Sequence, residues 1–296
     1  MENNSNKSTE SILGSIQPSP VIALGKNLEA FLCYISDTEA IAIKPYYAGS
    51  TGIIEFQKAS NPSSSNLKKE VEQLETTGQP AVAYLVLSST DTESLVGLYA
   101  YLGNLRSKGV FVIALVCMEG SQGTTKTSKD IMEQQKICGY ADSVLLISDT
   151  NNPSDKRSDL YETIFQIVEN LNNIILNKNN QEVNVDFEDI KMILDGAIGV
   201  AGVATAKGAN RASQVVEDLF TNPLMIGDDI KSAKKVLISI QSGPEVELEM
   251  NELTFITDHI QDNISNEAEV IFGHGIDDSL DGKLKVILLI SGITAS

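Results

Sequence analysis

Two aspartates near the middle of the chain have the spacing of a paired acid. Asp186 and Asp189 lie three positions apart, where the polar segment 177–182 gives way to an amphipathic pattern. Residues three apart in the first turn of a helix are neighbours, so both carboxylates should project close together from a loop tip. The same residues also suit a plain helix start, with Asp186 as the N-cap and with Glu188 and Asp189 favoured by the helix dipole. The spacing alone leaves both interpretations open.

Few other residues suited to catalysis are present. The two histidines, His259 and His274, are predicted on a helix face and in a glycine-flanked turn, as surface or hydrogen-bonded core residues. The cysteines Cys33, Cys117 and Cys138 are odd in number and widely spaced, which argues against a disulfide framework or a zinc cluster. No metal site is predicted.

The charge of the chain excludes some classes of partner. Among 296 residues, 22 are Lys or Arg and 40 are Asp or Glu, for a net charge of -18. Nucleic acids and anionic membranes require clustered cations, so neither is predicted as the main partner. Residues 1–10 lack the apolar core of a secretory signal, and no apolar run reaches the ~20 residues that span a bilayer. A cytoplasmic protein is predicted.

The first half of the chain has the pattern of a parallel sheet covered by helices. Continuous apolar strands alternate with helical segments, which is typical of strands buried on both faces. The predicted strands are 21–24, 31–35, 44–57, 81–87, 110–117 and 143–147, and the predicted helices are 67–76, 94–108 and 129–138.

A long amphipathic segment, 159–176, predicts a central helix between two domains. The second half then mixes helices and strands: helices are predicted over 186–194, 210–220 and 249–263, and strands over 196–205, 236–241, 270–272 and 284–290. The predicted organisation is a disordered tail at 1–10, a nucleotide-binding-like domain at 11–158, the central helix at 159–178 and a C-terminal domain at 179–296.

Several blocks in the second half resemble, in the same order, the C-terminal domain of FtsZ, the bacterial homologue of tubulin. The blocks are Asn184 to Asp189, Gly208 with Arg211 and Ala212, Asn222 to Leu224, 233–243 and 273–280. Together they are distributed over most of the range from residue 184 to residue 292. The resemblance implies an α/β fold of the tubulin/FtsZ type, with a Rossmann-like parallel-sheet N-terminal domain, a long central helix and a smaller mixed α/β C-terminal domain.

In the FtsZ family, the loop that matches residues 184–189 is the synergy loop, which enters the nucleotide site of the next subunit along a protofilament. Its acidic residues polarise the water that attacks GTP. The resemblance therefore implies that Asn184, Asp186 and Asp189 act catalytically on a neighbouring subunit.

The first half resembles the nucleotide domain of the family only in outline. FtsZ binds GTP through two glycine-rich loops, because glycine lets backbone N–H groups approach phosphate. Where the first loop should follow the opening strand, this chain has residues 17–20 (Gln-Pro-Ser-Pro) or, on a second interpretation, 25–27 (Gly-Lys-Asn). Where the second should follow Leu87, the chain has a glycine-free run: Ser88, Ser89, Thr90, Asp91, Thr92, Glu93 and Ser94.

This run would oppose a nucleotide. Thr90 and Glu93 have the spacing of a capping box, which would satisfy the helix N-terminus that otherwise holds phosphate. Asp91 and Glu93 would also repel a triphosphate. No cofactor is therefore expected, and degenerate GTP-binding loops are predicted. GTP and magnesium would bind only if a glycine cradle forms elsewhere, for which Gly120 and Gly123 are the nearby pair.

The favoured hypothesis is an FtsZ-like cell-division protein that has lost GTP binding and contacts FtsZ filaments lengthwise, capping or modulating their polymerisation and GTP turnover. The alternatives are an active, divergent FtsZ GTPase that forms its own protofilaments, and a nucleotide-free structural filament. The partner is thus FtsZ or a second copy. The family's membrane-tethering peptide follows the last strand, where this sequence stops, so we expect recruitment to the division site by FtsZ and no direct membrane binding.

Overall fold

The computed structural model describes residues 19–24, 43–49, 52–55, 82–88, 99–118, 139–148, 156–175, 181–183, 185–221, 225, 230–265 and 267–293. The chain divides into two compact units, Met1–Ile113 and Ala114–Ser296. Several predicted elements lie outside the described residues, namely the strand at 31–35, the helices at 67–76 and 129–138, and the tail at 1–10. The domain limits given above stay predictions.

Unit 1 contains a mostly parallel sheet. Its strands are β1 (Ser19–Leu24), β2 (Ile43–Gly49), β3 (Gly52–Glu55) and β4 (Val82–Ser88), followed by helix α1 (Tyr99–Ser107). The order is β3-β2-β1-β4, with β1 parallel to both β2 and β4, and with β3 antiparallel to β2. Residues 82–87 are fully buried, which is why this strand is a continuous apolar run. Strand β5 (Phe111–Met118) crosses the division between the units.

Strand β1 corrects one sequence interpretation. Ser19 and Pro20 form the start of β1, so residues 17–20 do not follow the opening strand. Pro20, which lacks an N–H group, lies opposite Lys44 of β2, whereas pairing of β1 with β4 begins only at Val21. The segment that follows β1 is 25–27, in agreement with the second interpretation.

Unit 2 builds a mixed sheet around antiparallel strand pairs. Its elements are β6 (Ser143–Ser148), α2 (Lys156–Ile175), β7 (Gln181–Val183), α3 (Phe187–Leu194), β8 (Ile198–Lys207), α4 (Arg211–Thr221), β9 (Lys235–Ser242), α5 (Met250–Asn263), β10 (Glu269–Ile276) and β11 (Lys283–Ser291). The strand order is β6-β8-β11-β9-β10-β7. β11 is antiparallel to β8 and β9, whereas β6 is parallel to β8 and β9 to β10.

The predicted central helix is present as α2 and begins three residues earlier than expected. Its apolar stripe is buried, as the periodicity predicted: Leu160, Ile164, Ile167, Val168, Leu171 and Ile174. The buried Asn170 donates from Nδ2 to the Ser239 hydroxyl of β9 over 3.1 Å, so this helix packs on the face of the sheet that carries Ser239. No helix among the described residues is long and apolar enough to cross a membrane.

Three local predictions need correction. Gln181 and Glu182 were predicted in a polar loop, but with Val183 they form β7, which pairs antiparallel with β10. His274 was predicted in a turn, but it lies within β10. Strand β10 itself is longer than the apolar residues 270–272 on which it was predicted. Cys117 is buried in β5.

A buried arginine ties the start of α4 to the segment between β9 and α5. Arg211 is 2% exposed and forms two hydrogen bonds of 2.8 Å with the Glu252 carboxylate. It also donates to the carbonyls of Val246 (2.9 Å), Glu247 (2.8 Å) and Gly282 (3.4 Å). A guanidinium is weakly hydrated and offers a fixed fork of donors, so it can be buried when every donor is used.

This ion pair makes the free energy of unfolding depend on pH in the acid range. The hydrogen bonds from Arg211 lower the pKa of Glu252 below its ordinary value of 4.5. A depressed carboxylate contributes stability that is complete above its unfolded-state pKa and is lost as the pH falls through the folded-state value. We expect the free energy of unfolding to fall below pH 4.5, and the difference between the wild type and Glu252→Gln to shrink over the same range. Urea unfolding at a series of pH values measures both. An unchanged difference from pH 7 to pH 3 would contradict the expectation.

Candidate functional site

The acidic pair at the start of α3 forms a reciprocal cap. Oδ1 of Asp186 accepts hydrogen bonds from the backbone N–H groups of Glu188 (2.8 Å) and Asp189 (3.0 Å). In return, Oδ2 of Asp189 accepts from the N–H of Asp186 at 2.9 Å. Asp186 is therefore the N-cap that its spacing predicted, and Asp189 closes the capping box. The local sequence fixes both carboxylates in one arrangement.

The cap uses one of the two oxygens of each carboxylate. Asp186 is exposed and Asp189 is half-buried. Within the described part of the chain, Oδ2 of Asp186 and Oδ1 of Asp189 accept no hydrogen bond, and neither aspartate has an ion pair. The adjacent Lys191 pairs with Glu188 at 3.0 Å and lies 4.3 Å from the centre of the Phe187 ring. Capping and an outward chemical role are therefore compatible in the same two residues.

The third predicted catalytic residue, Asn184, lies outside the described residues. So do most of the degenerate loop positions: Ser89, Thr90, Asp91, Thr92 and Glu93. Ser88 is the last residue of β4. The fold thus places Asp186 and Asp189 together and leaves the position of Asn184 relative to them untested.

In unit 1, the ends of β1 and β4 mark where a nucleotide loop would begin. The strands are parallel and in register, with Leu24 beside Leu87. Both segments that follow them therefore leave from the carboxyl edge of the sheet, where open parallel sheets bind ligands. In sequence, the segment after β1 keeps Gly25, whereas the segment after β4 has no glycine through Ser94.

A polar strip between α2 and the sheet was missed by the sequence analysis. Lys285 on β11 bonds Asp277 at 3.1 Å and lies opposite Gln241 in the register of β9. Burial raises the pKa of the half-buried Glu169, while nearby Lys285 lowers it and Asp277 raises it further. Among the described residues, Oε1 of the buried Gln241 has no hydrogen-bond partner. The register of β9 and β11, which brings these residues to one face, has no signal in the sequence.

The histidines take no part in a catalytic arrangement among the described residues. His259 is exposed on α5, with its ring stacked on Phe255 at a centroid distance of 4.0 Å. His274 is half-buried, with Nε2 3.5 Å from the hydroxyl of Ser242. Ser242 is fully buried, and its hydroxyl accepts the N–H of Leu248 at 3.2 Å, so it is not presented as a nucleophile.

Comparison with solved structures assigns the fold. An empty FtsZ dimer from M. jannaschii superposes with a TM-score of 0.65 at 15% identity, covering 98% of this chain and 93% of that one. CetZ1 from Haloferax volcanii, a GDP-bound monomer, gives 0.63 at 15% identity, covering 94% and 95%. The chain has the tubulin/FtsZ fold, which confirms the fold class predicted from the sequence.

Sequence comparison narrows the class. Residues 197–294 match the FtsZ family, C-terminal domain. Cell division protein FtsZ of Magnetospirillum gryphiswaldense is 32% identical over 114 residues, which are 38% of this chain and 20% of that protein. FtsZ 1 of Pyrococcus horikoshii is 33% identical over 114 residues, 38% of this chain and 30% of that protein. The chain is a divergent FtsZ-like protein, as its sequence blocks indicated. The matched segment spans less than a third of these relatives, and Asp186 and Asp189 precede the matched domain.

Proposed function

We propose that this protein is an FtsZ-like cell-division subunit that has lost GTP binding and acts on FtsZ filaments through Asp186 and Asp189. The observation that carries the proposal is the capped acidic pair. The two carboxylates are held at the tip of α3 by reciprocal hydrogen bonds, and each keeps one oxygen that the cap does not use. A preorganised pair of this kind can polarise a water molecule beside GTP that another subunit holds.

The loss of GTP binding is supported by the sequence at the carboxyl edge of the unit 1 sheet. A phosphate cradle needs backbone N–H groups that converge without side chains in the way. The segment after β4 instead carries Asp91 and Glu93, which repel phosphate, and Thr90, which has the spacing to cap the next helix with Glu93. Gly25 alone after β1 does not supply a cradle.

A subunit that supplies the acidic pair but holds no GTP changes how a filament grows. The acidic end docks lengthwise on FtsZ and completes the catalytic site around the GTP of that FtsZ. Its own unit 1 offers no nucleotide to the next subunit, so elongation stops at the bound copy. The proposed protein therefore caps or shortens filaments in the cytoplasm and reaches the division site by binding FtsZ. Its net charge of -18 opposes direct binding to an anionic membrane.

Light scattering tests the filament effect. We expect substoichiometric amounts of this protein to lower the polymer mass of FtsZ from the same organism in the presence of GTP, because each bound copy blocks one growing end. Lys234→Ala, which changes an exposed residue on another part of unit 2, serves as the matched control and should act like the wild type. Unchanged polymer mass at equimolar protein would reject the proposed capping activity.

The second candidate is an active GTPase that forms its own protofilaments with GTP and magnesium. One observation favours it: the solved structures with this fold include CetZ2 from Haloferax volcanii as a GTPγS-bound protofilament. That candidate requires a phosphate cradle without glycines after β4. The two candidates differ in whether the purified protein itself retains nucleotide.

A further inference from the structure

One end of the C-terminal sheet carries two exposed lysines that form no ion pair with a described residue. Lys207 ends β8 and Lys283 begins β11, and the two are directly opposite in the antiparallel register. Both are exposed, and neither has an ion pair among the described residues. Like charges directly opposite each other destabilise a strand pair. Within the described part of the chain, no acidic side chain therefore offsets the repulsion between these two lysines.

The segment after β9 brings acidic and apolar side chains to the same end of the sheet. Val246 is 47% exposed and Met250 is 76% exposed, while Glu245 and Glu247 are exposed beside Val246. Gly282 joins the two regions, because a Cβ on it would lie 3.5 Å from both Cε of Lys207 and Cγ2 of Val246. The lysines and the acidic segment are thus one contiguous surface.

This surface is rigid. The carbonyls of Val246, Glu247 and Gly282 all accept hydrogen bonds from the buried Arg211, and the N–H of Leu248 donates to the buried Ser242. The backbone that presents Val246 and the two glutamates is therefore held before any partner arrives. A preorganised segment loses little conformational entropy on binding. More of the free energy from burying its exposed apolar side chains therefore contributes to affinity.

We propose that Lys207, Lys283, Glu245, Val246, Glu247 and Met250 form a self-association surface that pairs with the same surface of a second copy around a twofold axis. A purely acidic or purely basic partner would be repelled by half of these charges. A second copy turned by 180 degrees sets the lysines of each chain against the glutamates of the other, because a twofold interface is self-complementary. Val246 and Met250 then pack between the two ion-pair sets.

The overall charge of the chain works against this pairing at long range. A net charge of -18 repels a second copy, but salt at ~0.15 M screens charges beyond about 8 Å. Contacts within the interface are screened less than distant charges. Pairing is therefore expected to be strongest near physiological salt, and to weaken both at low salt, where the chains repel, and at high salt, where the ion pairs are screened.

Sedimentation equilibrium of the full chain without nucleotide tests the proposal. Two charge-reversal variants test whether the named residues form the interface. We expect the wild type to form dimers with increasing concentration. Lys207→Glu with Lys283→Glu, and separately Glu245→Lys with Glu247→Lys, should each weaken dimerisation by about tenfold or more, since like charges then face each other. Lys108→Glu with Lys234→Glu makes the same change of net charge as the lysine reversal, at exposed positions elsewhere, and should leave dimerisation close to the wild-type value.

Mixing the two variants gives the decisive result. In an equimolar mixture, the new glutamates of one variant face the new lysines of the other, and the remaining native charges also match. We therefore expect one-to-one heterodimers from two proteins that each dimerise at least about tenfold more weakly alone than the wild type does. A monomeric wild type, a dimer that survives lysine reversal, or a mixture that stays monomeric would overturn the proposal. Open polymers in the mixture would overturn the twofold arrangement. None of these outcomes depends on FtsZ or GTP, so a failure of this proposal would not contradict the proposed function.

Discussion

Replacing Asp186 and Asp189 by asparagine is expected to lower sharply the GTP hydrolysis that, in the proposed function, this protein restores in a defective FtsZ partner. The partner for this experiment is an FtsZ whose own synergy-loop acids are changed to amides, so that it binds GTP and hydrolyses it poorly. Added wild-type protein should restore turnover by supplying acids to the GTP of that FtsZ. Positioned acid–base groups contribute about 100-fold or more to a rate, so we expect the double variant to lower the restored rate by about that factor.

Asparagine is chosen because it separates chemistry from folding. Its side-chain oxygen still accepts the backbone hydrogen bonds that Asp186 and Asp189 accept now, and asparagine is as good an N-cap as aspartate. The matched control is Glu188→Gln, which removes one negative charge from the same turn of α3. Among the described residues the Glu188 carboxylate pairs only with the surface residue Lys191, so the control should retain the restored turnover. Equal rates for the wild type and the double variant would contradict a catalytic role for the pair.

Arg211→Ala is expected to cause the largest loss of stability among the substitutions considered. The change leaves Glu252 half-buried without its partner and removes the donors to the carbonyls of Val246, Glu247 and Gly282. Breaking a buried, fully hydrogen-bonded ion pair on one side costs about 3–5 kcal/mol. Urea unfolding followed by circular dichroism measures the loss.

Glu252→Gln is the companion to this variant. It keeps the Arg211 contacts to the carbonyls and weakens only the bonds to the carboxylate, so it should cost less than Arg211→Ala. Lys234→Ala, at an exposed position, should change stability by less than about 0.5 kcal/mol. A cost below about 1 kcal/mol for Arg211→Ala would mean that the guanidinium does not hold the segment after β9.

The parts of the fold that the sequence predicted are those set by local patterns. Helix α3 begins at a capping box whose two residues lie three positions apart, so the spacing predicts Asp186 as its N-cap. The burial of residues 82–87 followed from a continuous apolar run of strand length. The apolar stripe of α2 followed from its helical period. In each case the signal lies within about 20 residues.

The parts that the sequence did not predict depend on partners distant in the chain. Gln181 and Glu182 are polar, and they form a strand only because β10 offers an edge to pair with. Pro20 belongs to β1 because that strand pairs with β2 from Ser19 onward. The opposition of Lys207 and Lys283 is a property of the register between β8 and β11. A shift of one residue in that register would separate them, and no local sequence feature specifies it.

The two proposals place different surfaces of unit 2 in contact with partners. In the proposed function Asp186 and Asp189 act lengthwise on FtsZ, whereas in the proposed self-association the surface around Val246 pairs two copies of this protein. A dimer would carry two acidic pairs and could engage two filament ends at once. Charge reversal at Lys207 and Lys283 should then leave the hydrolysis restored by Asp186 and Asp189 unchanged per subunit.

The most direct test of the central claim is the nucleotide content and affinity of the purified protein. Denaturing extraction followed by chromatography measures bound GDP and GTP, and titration with GTP and magnesium measures affinity. We predict no retained nucleotide and no saturable binding up to about 1 mM GTP, a dissociation constant that corresponds to about -4.1 kcal/mol. Retention of GDP or GTP near one molecule per chain, or tight saturable binding, would contradict the account and favour the active, divergent FtsZ GTPase.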